Sequence, residues 1–176
     1  LYDGIGTYFR NYVYADPKNS ALNIFQMGQG GINLGEKEYY LDNDSITLNI
    51  REQYKNYIAK LFTLAGFSET EARQKMADVM EIETAIAKVS FSAAQLRNPE
   101  ANYHKMSYDE VKKTFPGIDW DAFMKGLGLE NVTEVNVEQI EPIKEVDKLI
   151  NTLPLSKHIA YLQYNLLDAA ASYLSC

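Results

Sequence analysis

The strongest constraint on this chain is the stretch 68–96, the longest run with an unbroken helical apolar pattern. Ser68 followed three residues later by Glu71 is a capping-box signature: the serine oxygen accepts the Glu71 amide proton and the glutamate accepts the Ser68 amide proton. Ala72, Met76, Val79, Met80, Ile86 and Ala87 then recur at three- and four-residue steps, while Arg73, Lys75, Asp78, Glu81 and Lys88 fall on other azimuths. Glu83 breaks the pattern. It shares the stripe of Met76, Val79 and Ile86, so the helix carries a carboxylate toward the core, where it must find a donor or stay protonated. A catalytic carboxylate normally has other reactive groups beside it, and this helix supplies none. Glu83 is therefore expected to be structural, held by an Arg, Lys or Tyr of a neighbouring helix.

The rest of the chain is long enough to cover such a helix. A single domain of 176 residues buries about 70% of its unfolded surface, enough for a core without staples. Hydrophobic residues at 46% and charged residues at 23% fit a soluble globular protein. A net charge of −7, with no basic stripe interleaved with aromatics, argues against a nucleic-acid partner. Cys176 is the only cysteine, so neither an internal disulfide nor a cysteine zinc finger can form. No apolar run approaches the roughly 20 residues of a membrane span, and no signal peptide is visible. The chain starts at Leu1 and stops at Cys176 directly after an apolar helical run, which suggests a fragment of a longer protein.

Before the long helix, residues 12–15 and 21–27 are rich in β-formers, and Asp16, Pro17, Lys18 and Asn19 between them form a turn sequence. Pro17 fixes φ at the second turn position and Asp16 can bond back to the turn backbone, so 12–27 is expected to be a β-hairpin. Gly28, Gly30, Gly31 and Gly35 punctuate a loop too irregular for a phosphate cradle, leading to 36–41. From about Asn49, the residues Ile50, Tyr54, Tyr57, Ile58, Leu61 and Ala65 form one helical face, and Gly66 is placed to end the helix in a left-handed cap. Only a few residues separate this helix from the next, so the two are expected to be antiparallel.

After the long helix, Asn98-Pro99 marks its end. Ser107 with Glu110 opens a short helix closed by Pro116 and Gly117, and Asp119 caps another that runs through Trp120 and Phe123 to Gly126 and Gly128. Val132, Val135 and Val137 lie in an extended link. Pro142 suits a first helical turn ahead of Ile143, Val146, Leu149 and Ile150. A last helix after Pro154 places Ile159, Leu162, Leu166, Ala169 and Tyr173 on one face. The chain thus reads as mainly α: a helical bundle-like, single partial domain over 1–176, with an N-terminal β-hairpin at 12–27 and a helical part over 49–175.

The search for chemistry returns absences. A zinc peptidase needs His-Glu-x-x-His and a third ligand, whereas His104 and His158 are 54 residues apart with no ligand-spaced partner. No Gly-x-Ser-x-Gly elbow is present. The 13 tyrosines, with helical spacing at Tyr54, Tyr57 and Tyr173, read as packing residues rather than a ligand platform. No catalytic, cofactor-binding or metal residue is assigned.

Several ordered motifs carry a resemblance. Asp16-Pro-Lys-Asn-Ser20 and Gln29-Gly-Gly-Ile-Asn-Leu-Gly-Glu-Lys-Glu-Tyr-Tyr-Leu41 resemble the signature of the amino-terminal region of the neprilysin, endothelin-converting enzyme and bacterial peptidase O family. Glu83 with Ile86 and Ala87 is similar to its Glu-x-x-Leu-Ala, and Arg97-Asn-Pro-Glu-Ala-Asn-Tyr-His-Lys-Met106 to its Arg-Asp-Pro-x-x-x-Tyr-Asn-x-Met. Pro116-Gly-Ile-Asp-Trp120 and Leu153-Pro-Leu-Ser-Lys-His-Ile-Ala-Tyr-Leu162 follow in the same order. Asn33 and Gly35 depart from the family's Leu-Gly-Leu-Pro, and His158 stands where it usually has tryptophan. The single cysteine resembles bacterial rather than vertebrate members.

The resemblance implies a zinc metalloendopeptidase whose ligands and general-base glutamate lie beyond Cys176, with zinc in the parent enzyme and none in this part. It implies a helical region that helps enclose the catalytic chamber, and an extracytoplasmic location. Its partners would be the remainder of the parent chain and, through it, peptide substrates, with self-association possible through the apolar face of the last helix. A freestanding helical interaction module sharing the same ancestry is the alternative.

Overall fold

The computed structural model describes residues 7–171 and 173. The chain packs as two compact units, one formed by Leu1–Thr7, Gly31–Lys88 and Leu153–Cys176, the other by Tyr8–Gly30 and Val89–Thr152.

The first unit is helical. It contains α1 (Glu38–Leu41), α2 (Ser45–Leu64), α3 (Glu69–Val89) and α8 (Leu155–Ala171). α2 starts four residues before the apolar face predicts, because the Asp44 carboxylate accepts the Ile46 and Thr47 amides and so satisfies donors that a helix start leaves open. It stops where expected: Gly66 sits at φ +97°, and the Phe67 amide reaches back to the Phe62 carbonyl at 3.1 Å. The Ser68–Glu71 box then opens α3.

Side-chain pairs give the helix directions. Phe62 meets Lys75 and Tyr54 meets Glu83, so α2 and α3 are antiparallel as expected. Lys75 with Gln163 and Glu81 with Lys157 make α3 and α8 antiparallel in turn. Tyr54, Ile58, Phe62, Val79, Ile82, Ile86 and Tyr161 are buried in this unit.

α3 is shorter than the stretch 68–96. It ends at Val89, and Ser92 caps a separate short helix, α4 (Ala93–Leu96), through a second box with Gln95. A local side-chain bond competes here with continuation of the helix, which the apolar periodicity does not register.

The second unit holds α4, a four-stranded sheet, and helices α5 (Tyr108–Thr114), α6 (Trp120–Gly126) and α7 (Ile140–Thr152). The hairpin is longer than 12–27: β1 (Phe9–Asp16) pairs antiparallel with β2 (Asn19–Gln29). The sheet order is β1-β2-β4-β3, with β4 (Glu134–Val137) parallel to β2 and antiparallel to β3 (Lys105–Ser107). Among the described residues of the stretch 49–175 there are therefore two strands besides the helices, because the end of the expected link becomes β4, with Val135, Asn136 and Val137 buried. A parallel neighbour distant in sequence completes β4, and local pattern cannot show that pairing. Phe25, Met27, Val111, Phe115, Trp120, Val135, Val137 and Ile143 form this unit's core. The Trp120 ring donates its N–H to the Phe115 carbonyl at 2.9 Å, so the buried indole is satisfied. The predicted caps at Ser107 and Asp119 are both made.

Candidate buried carboxylate site

Glu83 is 0% exposed and lies between α2, α1 and the loop before α1. Its Oε2 accepts the Tyr40 hydroxyl at 2.6 Å and the Tyr54 hydroxyl at 2.8 Å; its Oε1 accepts the Asn33 amide at 2.5 Å. No Lys, Arg or His pairs with it among the described residues. Every donor is neutral. Burial therefore pushes the carboxyl up to about 7 against the opposing pull of Tyr40, Tyr54 and Asn33. The same burial, reinforced by the Glu83 charge, drives the Tyr40 and Tyr54 hydroxyls far above the ordinary tyrosine range, so both remain donors.

The network extends outward through backbone. Tyr40 also accepts the Leu34 amide at 3.0 Å, and Asn33 donates to Asn165 on α8 at 3.1 Å. Asn165 donates to the Tyr161 carbonyl, and the Tyr161 hydroxyl donates to the Gly31 carbonyl at 2.9 Å. Tyr40 and Tyr54 meet edge to face, as do Tyr54 and Tyr164. The segment 31–41 is thus fixed to α3 and α2 through the Glu83 carboxylate and to α8 directly through Asn165 and Tyr161. With no exposed surface and both oxygens occupied, Glu83 offers no face to a substrate. Of the Arg, Lys or Tyr partners expected for it, the structure supplies Tyr40 and Tyr54, joined by Asn33, and no cation among the described residues.

Sequence reasoning placed Tyr54 on the buried face of α2 but missed Asn33, Tyr40 and Asn165. Asn33 was visible as a departure from the Leu-Gly-Leu-Pro pattern, and this departure carries the amide that bonds Glu83. Tyr57 sits at the rim, 40% exposed, and its hydroxyl donates to Asp168 on α8 at 2.7 Å.

In the second unit Asp16 is 2% exposed. It accepts the Lys18 amide, as the turn sequence predicts, and also the Tyr103 hydroxyl at 3.0 Å and Lys105 at 3.3 Å. The Lys18 amide, followed by these side chains, holds its carboxyl below the usual range. Gln29 pairs its amide with the backbone of Phe91 on both atoms, while its own N–H donates to Gln139. Gln139 holds Asn102, which donates to the carbonyls of Gln95, Leu96 and Asn98 at the end of α4. These bonds account for much of the 97–106 motif as loop architecture.

The two histidines of the chain lie in different units. His104 belongs to the second unit, where its backbone N–H donates to Asn136 and its Nδ1 lies 2.9 Å from the Val137 carbonyl. His158 is buried in the first unit. Among the described residues no group of three or more His, Cys, Asp or Glu is placed to hold a metal, and Cys176 lies outside them.

Comparison with known proteins decides the family. The profile of Peptidase family M13, in its amino-terminal part, matches residues 1–176. The chain belongs to this family. It is 32% identical to human endothelin-converting enzyme 1 over 176 residues, which is 95% of this chain and 22% of that protein. It is 31% identical to Drosophila melanogaster Neprilysin-3 over 105 residues, 60% of this chain and 13% of that one. The M13 chain therefore spans about a fifth of the length of its endothelin-converting relative. Its fold matches the zinc metalloprotease Zmp1 of Mycobacterium tuberculosis in the open state with a TM-score of 0.91 at 22% identity, covering 98% of this chain and 27% of that one. It also matches PepO of Lactobacillus rhamnosis with a TM-score of 0.76 at 18% identity, covering 95% and 26%. Animal and bacterial proteins appear alike among these matches.

Proposed function

We propose that this M13 chain is the amino-terminal helical region of a zinc metalloendopeptidase that acts on peptides outside the cytoplasm. On this reading it contributes wall to the catalytic chamber and no chemistry: no residue here is catalytic, binds a cofactor or ligates zinc. The observation that carries the reading is the family match along all of residues 1–176, supported by the 0.91 superposition on a zinc metalloprotease. The buried polar networks around Glu83 and Gln139 support a scaffolding role, because they lock loops and leave no reactive face. The two compact units count as parts of one partial domain of the longer chain. Zinc belongs to the remainder of that chain, which is also this region's principal partner. A freestanding interaction module is not favoured by these matches.

The test is to express the longer reading frame and measure zinc content and cleavage of a quenched peptide, with and without chelator. Stoichiometric zinc and chelator-sensitive cleavage are expected, with a folded protein cut far more slowly than the peptide. A longer product without metal or cleavage overturns the proposal.

A further inference from the structure

α8 presents two apolar faces, of which the first unit covers one. Tyr161, Tyr164, Ala160 and His158 are buried. On the outside, Leu155, Ile159, Leu162 and Leu166 are 73%, 42%, 44% and 53% exposed. These four follow one another at steps of four, three and four residues, the a and d spacing with which one helix offers knobs to the holes of another. Both charged side chains of the helix are already engaged within the unit: Lys157 pairs with Glu81, and Asp168 accepts from Tyr57. The outer seam has no charge of its own. A helix apolar on opposite faces is a buried helix, because a solvated face of this length normally carries charged residues.

We infer that the seam Leu155, Ile159, Leu162 and Leu166 is the docking site for an α-helix from another part of the same, longer peptidase chain. The inference rests on the peptidase reading above. The heptad spacing selects a helix at a shallow crossing angle rather than a strand or an irregular segment. Area and length of chain select the same polypeptide. A 17-residue helix is about 25 Å long, and four half-exposed side chains bury well under the roughly 1,000 Å² that a free-standing specific interface needs. A tethered segment is under no such requirement, since its effective concentration reaches the millimolar range. The Zmp1 chain that superimposes on this one extends far beyond the matched 27%, so a longer chain has ample material to supply the helix.

The experiment compares the 176-residue chain with the longer peptidase, each carrying Leu162→Cys. Maleimide labelling is read by peptide mapping, so that Cys176 is counted separately. Position 162 is expected to react rapidly in the short chain and at least roughly tenfold more slowly in the longer one, where local opening must precede reaction. The pair Ile159→Lys with Leu162→Lys is expected to leave the thermal midpoint of the short chain unchanged and to lower that of the longer chain. Equal labelling in both chains, or a double-lysine variant that lowers neither midpoint, overturns the inference. Sedimentation of the short chain at low and high micromolar concentration should show a monomer; a dimer dissolved by the double-lysine pair assigns the seam to a second copy and also overturns it. None of these readouts involves cleavage. A longer chain that protects position 162 yet cuts no peptide supports the docking site and refutes the peptidase reading.

Discussion

The Tyr40 hydroxyl donates to Glu83 Oε2 at 2.6 Å while accepting the Leu34 amide at 3.0 Å. One phenol therefore couples the backbone of a loop to a carboxylate on α3 that solvent does not reach. Tyr54 and Asn33 complete the set, so a single acceptor satisfies two buried hydroxyls and the amide of a loop residue, from three segments.

Glu83→Ala should strand the two buried hydroxyls, Tyr40 and Tyr54. A buried donor without a partner costs about 1–3 kcal/mol, and with partial relaxation the variant is expected to lose about that amount in total. The measurement is a denaturant melt, with the midpoint lowered and the slope unchanged. Glu83→Gln keeps one carbonyl oxygen in place and should lose less. A wild-type midpoint in the Ala variant would contradict the hub.

The same carboxylate sets a pH dependence with a definite sign. Its folded value of about 7 lies above the ordinary 4.5, so the unfolded chain gives up its proton first as pH rises. The stability contributed by the protonated form is full below about 4.5 and is lost as pH rises through about 7, with a total on the order of 3 kcal/mol. Other carboxylates, such as Asp16, titrate with the opposite sign at lower pH. The check is therefore the difference between wild type and Glu83→Gln, measured by denaturant midpoints from pH 4.5 to 8. Wild type should lose ground to the variant across that window, and a gain would reject the assignment.

The ends of α2 should respond according to backbone geometry. Gly66 sits at φ +97°, where a Cβ costs about 1–2 kcal/mol, so Gly66→Ala should lower stability by about 1 kcal/mol although nothing lies close enough to clash. At the other end, Asp44→Asn exchanges one good cap for another and should leave the melting temperature unchanged, whereas Asp44→Val should lower it.

The 176-residue chain alone should neither hold zinc nor cleave peptide. Zinc chemistry requires three protein ligands converging at about 2.0–2.3 Å with an open position for water. The ring of His104 already faces the Val137 carbonyl, and His158 belongs to the other unit. Metal analysis after dialysis, followed by a quenched-peptide assay with added zinc, provides the check. Stoichiometric metal with chelator-sensitive cleavage would contradict this expectation.

Local rules were legible in the residues themselves. The capping boxes at Ser68 and Ser107, the Asp119 cap, the Gly66 stop and the Asp16 turn each depend on bonds within a few positions, so short motifs determine them fully. The family, too, was readable from ordered motifs, because loops fixed by side-chain networks tolerate few alternatives. Periodicity failed where a local bond outcompeted it, as at Ser92, which ends α3 early by starting α4.

For the last helix, the apolar pattern found the helix and put Ile159, Leu162, Leu166 and Tyr173 on one face, and all four are exposed. Which face the unit covers depends on what stands opposite, and the partners of Tyr161, Tyr164 and Asn165 come from segments more than a hundred residues away. The pairing of β2 with β4 has the same character. By itself the sequence determined the hairpin, the longer helices, the caps at Ser68, Ser107 and Asp119 and the burial of Glu83, since helical spacing and apolar neighbours are local facts. Only the tertiary structure decided that Glu83 is held by Asn33, Tyr40 and Tyr54, because a buried acceptor takes whichever donors the packing brings within 3 Å, and no spacing rule connects a loop, two helices and a carboxylate.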